Sequence, residues 1–125
     1  MTTNESKIDK ANVCDLNYLS ELMGGKKHLI EEIMDVFLKQ VPEELQSIND
    51  AIEKINYATI KGVAHTMKSS VSIMGISVLI PILQEMEDLG SNGTSIEKIK
   101  ELNRKLILLC NQAIEEIKIE KSKFI

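Results

Sequence analysis

The run KKHLIEEIMDVFLKQVPEELQSINDAIEKI, residues 26–55, decides the fold. Its apolar residues fall at Ile30, Ile33, Phe37, Val41, Leu45, Ile48, Ile52 and Ile55, in steps of 3, 4, 4, 4, 3, 4 and 3. That spacing is one stripe along an α-helix. Pro42 stands inside the run. A proline lacks an amide donor and crowds the carbonyl four residues back, so it ends or kinks a helix. The stripe stays in phase across Pro42, which predicts one long kinked helix rather than two. Leu29 and Val36 lie roughly 100° or more off the stripe at about 100° per residue. They are candidates for contact with a preceding short helix or with a partner.

The flanks repeat the helical spacing. Upstream, Leu16, Leu19, Leu22 and Met23 predict a short helix from Asp15, stopped by Gly24-Gly25 and lying as a lid across the end of a bundle. Residues 1–12 are polar and aperiodic and read as a flexible N-terminus, leaving 13–125 as the folded bundle. Downstream, Asn56-Tyr57 breaks the pattern, and Ile60, Val63, Ala64, Met67, Val71 and Met74 predict a helix over 58–74, ended by Gly75. Ser77 offers an N-cap for a further helix through Leu89, with Pro81 in its first turn and Leu79, Ile82, Leu83 and Met86 inward. Gly90-Ser91-Asn92-Gly93 reads as a turn and Ser95 as a cap. The last helix then runs from Ile96 to about Ile119 through Ile99, Leu102, Leu106, Leu109, Ala113, Ile114 and Ile117. No strand-type alternation and no repeat intervenes. The expected fold is all-α: an up-and-down four-helix bundle with an additional short N-terminal helix.

Composition agrees. The chain has 125 residues, 43% hydrophobic and 27% charged, enough for one domain with a real core. Aromatics are only 3%, so the core must be aliphatic. The net charge is −4 and the signs are mixed along the chain, which argues against nucleic acid as a partner. No segment reaches the ~20 apolar residues of a membrane span, and the polar start has no signal-peptide core. Cys14 and Cys110 are far apart and form no metal-ligand spacing; both are expected as reduced thiols of a cytoplasmic protein, with Cys110 in the core.

The informative polar face belongs to the helix over 58–74. With Ile60 at 0° and about 100° per residue, its apolar set clusters within about 60° of zero. On the same wheel Lys68 falls near 80°, Lys61 near 100°, Ser72 near 120°, His65 near 140° and Ser69 near 180°. His65 therefore points away from the core, between lysines one turn away on either side, with small hydroxyl residues beyond. An exposed neutral imidazole is a good nucleophile near neutral pH. A phosphoryl group on it would add roughly two negative charges. Lys61 and Lys68 could offset them, and Ser69 and Ser72 could donate hydrogen bonds. The chain has no Gly-rich phosphate loop and no kinase-type motif, so any phosphoryl group must come from a partner. From the wheel alone, a histidine flanked by lysines on an exposed helix face is usually just solvated. No second His or Cys lies at i±3 or i±4, so neither a metal nor a cofactor is expected; His28, the other histidine, reads as an ordinary surface residue.

Ala64-His65-Thr66-Met67-Lys68-Ser69-Ser70, followed by Met74-Gly75, resembles the signature of histidine-containing phosphotransfer (Hpt) domains, which read A-H-x-L-K-G/S-S…L-G. The resemblance extends to Leu22-Met23-Gly24-Gly25, to Phe37 and to Glu85-Met86-Glu87. It implies a four-helix bundle whose surface histidine carries a phosphoryl group in multistep phosphorelays. It implies His65 as the acceptor, Lys68 as its charge partner and Glu87 as the residue that hydrogen-bonds the ring from the next helix. Many members have Gly after the lysine, where this chain has Ser69; serine is the next smallest choice and should still admit a partner. The implied partners are response-regulator receiver domains and a hybrid sensor histidine kinase. The chain would act as a monomeric carrier without kinase or phosphatase activity of its own. A helical adaptor that binds partners through the same face without being phosphorylated is the alternative.

Overall fold

In the computed structural model, which describes residues 12–123, the stripe across Pro42 forms a single helix. Five helices follow one another: α1 Leu16–Leu22, α2 Lys27–Glu53, α3 Tyr57–Ile73, α4 Leu79–Asn92 and α5 Ile96–Ser122. No strand occurs among the described residues. The expectation of a flexible N-terminus falls almost wholly on residues outside those described. Short turns join α2 to α5, and each packs on its sequence neighbours, with α2 closing the ring against α5. This is the up-and-down bundle that short connections produce.

α2 passes through Pro42 unbroken, with Pro42 exposed and Val41 beside it fully buried. The missing hydrogen bond thus falls on the solvent side, where water can take the freed carbonyl. The predicted stripe is buried at Ile30, Phe37, Val41, Leu45, Ile48 and Ile52, joined by Met34 and Ala51, while Ile33 is half-buried. Ile55 departs from the expectation. It lies beyond the helix end at φ 51° and is 54% exposed, so it belongs to the turn and not to the core. Off the stripe, Leu29 is half-buried and Val36 exposed.

α1 is capped by the Asp15 side chain, which accepts from the Tyr18 amide at 3.0 Å. Its Leu19 is fully buried, and the Asp15 amide donates to the Gly75 carbonyl at 3.2 Å, as a lid requires. The Glu116 carboxylate on α5 accepts from the Val13 and Cys14 amides at 2.8 and 2.9 Å, tying down the entry to α1. Gly75 adopts φ 68°, and a Cβ there would stand 2.7 Å from the Asp15 Cβ, so this junction admits only glycine.

α3 begins at its Asn56 cap, whose side chain accepts from the Thr59 amide at 3.1 Å. It buries Ile60, Ala64, Met67 and Val71, leaving Val63 half-buried. α4 corrects the sequence reading at both ends. Ser77 does not cap it; a tight turn, with the Leu79 amide on the Ile76 carbonyl at 3.0 Å, leads into it instead. Nor does it stop at Leu89. It continues to Asn92 and ends at Gly93 in the left-handed region. Gly90, read as part of a turn, is a buried helical residue packed against the α3 backbone; a Cβ there would lie 3.1 Å from the Lys61 amide nitrogen and the Tyr57 carbonyl oxygen. α5 likewise starts without a side-chain cap, because Ser95 sits at φ 61°. Cys14 and Cys110 are free and buried, and no helix among the described residues is long and apolar enough to cross a membrane.

Candidate functional site

Because α3 turns its apolar stripe inward, the opposite face presents His65, whose side chain is 69% exposed. Glu87 reaches it from α4, 22 residues on, and places Oε2 3.0 Å from His65 Nδ1. The other carboxylate oxygen, Oε1, lies 2.7 Å from Lys68 Nζ in an ion pair. The hydrogen bond of that ammonium goes to Gln84 Oε1, also at 2.7 Å, and Gln84 Nε2 in turn donates to Asp88 Oδ1 at 3.0 Å. Two helices thus support a continuous polar chain: His65, Glu87, Lys68, Gln84, Asp88.

The carboxylate is the hinge of this arrangement. Contact with the Lys68 ammonium, reinforced by the His65 ring, holds the Glu87 carboxyl below the usual carboxylate range, against an opposing contribution from partial desolvation. Glu87 is therefore ionised at neutral pH and can only accept. The ring nitrogen facing it, Nδ1, must be the one that carries hydrogen. In the neutral ring Nε2 then keeps its lone pair, and it has no partner among the described residues. This is the logic by which a carboxylate fixes the tautomer of a functional imidazole.

The residues singled out in the sequence divide accordingly. His65, Lys68 and Glu87 come together in one cluster. Lys61 and Ser69 are exposed on the same face but make no hydrogen bond or ion pair among the described residues. Ser72 is two turns along α3, about 10 Å by helical rise. It lines a separate groove of about 350 Å³ between α1 and the α3–α4 turn, with Tyr18 and Ile80. Val36 is open to solvent, and Leu29 only partly covered. Sequence reasoning passed over Gln84 and Asp88. Their i, i+4 spacing was the available signal, but only the packing of α4 on α3 brings Gln84 to Lys68. No group of three or more His, Cys, Asp or Glu side chains able to hold a metal occurs among the described residues.

An outward-facing histidine, held by a carboxylate from the adjacent helix, marks the exposed face of this helical bundle. The chain belongs to the Hpt domain family, whose model matches residues 32–118. Its fold is similar to the crystal structure of histidine-containing phosphotransfer protein B from Pseudomonas aeruginosa, with a TM-score of 0.82 at 20% sequence identity, over 90% of this chain and 97% of that one. Comparison with the curated proteins finds no match.

Proposed function

We propose that this protein is a phosphoryl carrier of a multistep phosphorelay and that His65 Nε2 is the carrying atom. The single observation behind this reading is the 3.0 Å contact between His65 Nδ1 and the Glu87 carboxylate: in the neutral ring it makes Nδ1 the donor and leaves the lone pair on Nε2 of an exposed side chain. In the forward step that lone pair attacks the phosphorus of an aspartyl phosphate on a receiver domain. The N–P bond forms, the O–P bond breaks, and the receiver's carboxylate leaves with the bonding electrons. Transfer to a second receiver is the same displacement in reverse.

Phosphoryl transfer needs little covalent help beyond positioning and charge stabilisation. Lys68 provides positive charge beside the ring, and Ser69, one turn on, leaves room for a partner's loops. Lys61 adds to the positive potential of the face without being fixed in it. With no phosphate loop in the sequence, the carrier depends on its partners: a hybrid sensor kinase upstream and response-regulator receiver domains on either side of it.

Incubation with a phosphorylated receiver domain tests this. The expected result is label on this chain from the phospho-receiver and none from ATP alone. Stable binding of the receiver with no transferred label would favour the adaptor reading instead.

A further inference from the structure

Lys68 is held more tightly than a charge partner requires, and the group that holds it lies outside every residue so far given a role. Its Nζ sits 2.7 Å from Gln84 Oε1 and 2.7 Å from Glu87 Oε1. Gln84 is itself fixed, because its Nε2 donates to Asp88 Oδ1 at 3.0 Å. The amide has only one workable orientation. Reversing it would set an N–H against the ammonium and an oxygen against the carboxylate. The Lys68 side chain is only 22% exposed, unlike the free lysine Lys61 on the same face.

We infer that Gln84, braced by Asp88, is a positioning residue that presents Lys68 to the phosphoryl group on His65. The inference rests on the carrier role proposed above. A lysine ammonium has three N–H donors. Gln84 accepts from one of them and Glu87 stands beside the ammonium as its ion-pair partner, which leaves a donor for a phosphoryl oxygen. A free lysine loses rotamer entropy on engaging a ligand; here the loss is taken before the phosphoryl group arrives. Glu87 alone could not secure this, since one carboxylate serving both ring and ammonium leaves the lysine free to swing about it.

The test replaces Gln84 by methionine, which keeps length and volume but removes the acceptor. Gln84 is exposed, so melting should not move. Two readouts are taken. Acetic anhydride footprinting of the unphosphorylated protein, read by mass spectrometry at Lys68, should show faster acetylation in Gln84→Met, with Lys61 as the internal reference. Single-turnover transfer from a phosphorylated receiver should slow about threefold to fivefold, the net value of one ordinary solvent-exposed hydrogen bond, with an unchanged half-saturating receiver concentration. In a Lys68→Ala background the same substitution should cost nothing further. Unchanged acetylation at Lys68 would overturn the inference, as would an equal loss of rate in the Lys68→Ala background. If the footprint shifts but wild-type protein takes no label on His65, the carrier role fails while the clamp stands.

Discussion

Replacing Gly90 by alanine probes how the bundle sets the geometry of its site. Gly90 is buried in α4, and an added Cβ would lie 3.1 Å from the Lys61 amide nitrogen, 3.1 Å from the Tyr57 carbonyl oxygen and 3.2 Å from the Lys61 Cβ. Two of these atoms are helix backbone, so α3 must move as a body by a few tenths of an ångström. Overpacking of this kind costs about 2 kcal/mol. Alanine in a helix interior recovers about 1 kcal/mol of propensity over glycine. The net loss is about 1 kcal/mol, which for a chain of this length lowers Tm by about 4 °C. The shift falls at Lys61, one turn before His65, and should lengthen the 3.0 Å contact between His65 Nδ1 and Glu87. Circular-dichroism melting reads the first effect. ¹⁵N chemical shifts of the His65 ring read the second, as a weakened preference for hydrogen on Nδ1. A rise in Tm with an unchanged ring spectrum would mean that propensity alone operates and that the close α3–α4 approach does not position the site.

Four further outcomes follow from the same geometry. Gly75→Ala places a side chain at φ 68° against Asp15 and should cost about 2–3 kcal/mol from left-handed strain and the lost Asp15–Gly75 hydrogen bond; an unchanged melting curve would show that the α1 lid is not anchored there. Ser69→Trp, on the exposed face opposite the core, should block receiver transfer by bulk while leaving melting unchanged, and full transfer would rule out the proposed approach to His65. Burial raises both thiols, Cys110 to about 12 and Cys14 further still, so a disulfide reagent at pH 8 should label neither until denaturant is added; rapid labelling of either would contradict its burial. Burial, with Glu43 beside it, also raises the Glu44 carboxyl, so folding favours its protonated form and stability falls as pH climbs through the carboxylate range; Glu44→Gln should melt higher than wild type at pH 7, with the advantage vanishing in acid, and a constant difference at every pH would refute the sign.

Most of the bundle was legible because its elements bury one face each. The in-phase stripe from Ile30 to Ile52 outweighed Pro42, since a proline on the wet side of a helix costs only a bond that water replaces. Where the reading failed, the deciding contact was between elements. Gly90-Ser91-Asn92-Gly93 has turn composition, yet Gly90 is helical because α3 lies against its bare Cα, a fact of packing rather than of local preference. Ser77 is a good cap by type, but the chain leaves Gly75 in a tight turn that sets the serine one residue before the capping position, which falls to Val78. In the site, His65, Lys68 and Glu87 were visible in the wheel and the family signature. Gln84 was not, because a glutamine on an exposed helix face has no sequence mark until the neighbouring helix delivers a lysine to it.

The central claim is that His65 Nε2, with Nδ1 held by Glu87, carries the phosphoryl group. The direct measurement is NMR of ¹⁵N-histidine-labelled protein charged by a phosphorylated receiver. The account predicts phosphorus coupling to Nε2 of His65, hydrogen retained on Nδ1, and no phosphorus-coupled signal in His65→Gln. Coupling at Nδ1, a phosphorylated His28, or label that survives in His65→Gln would contradict it.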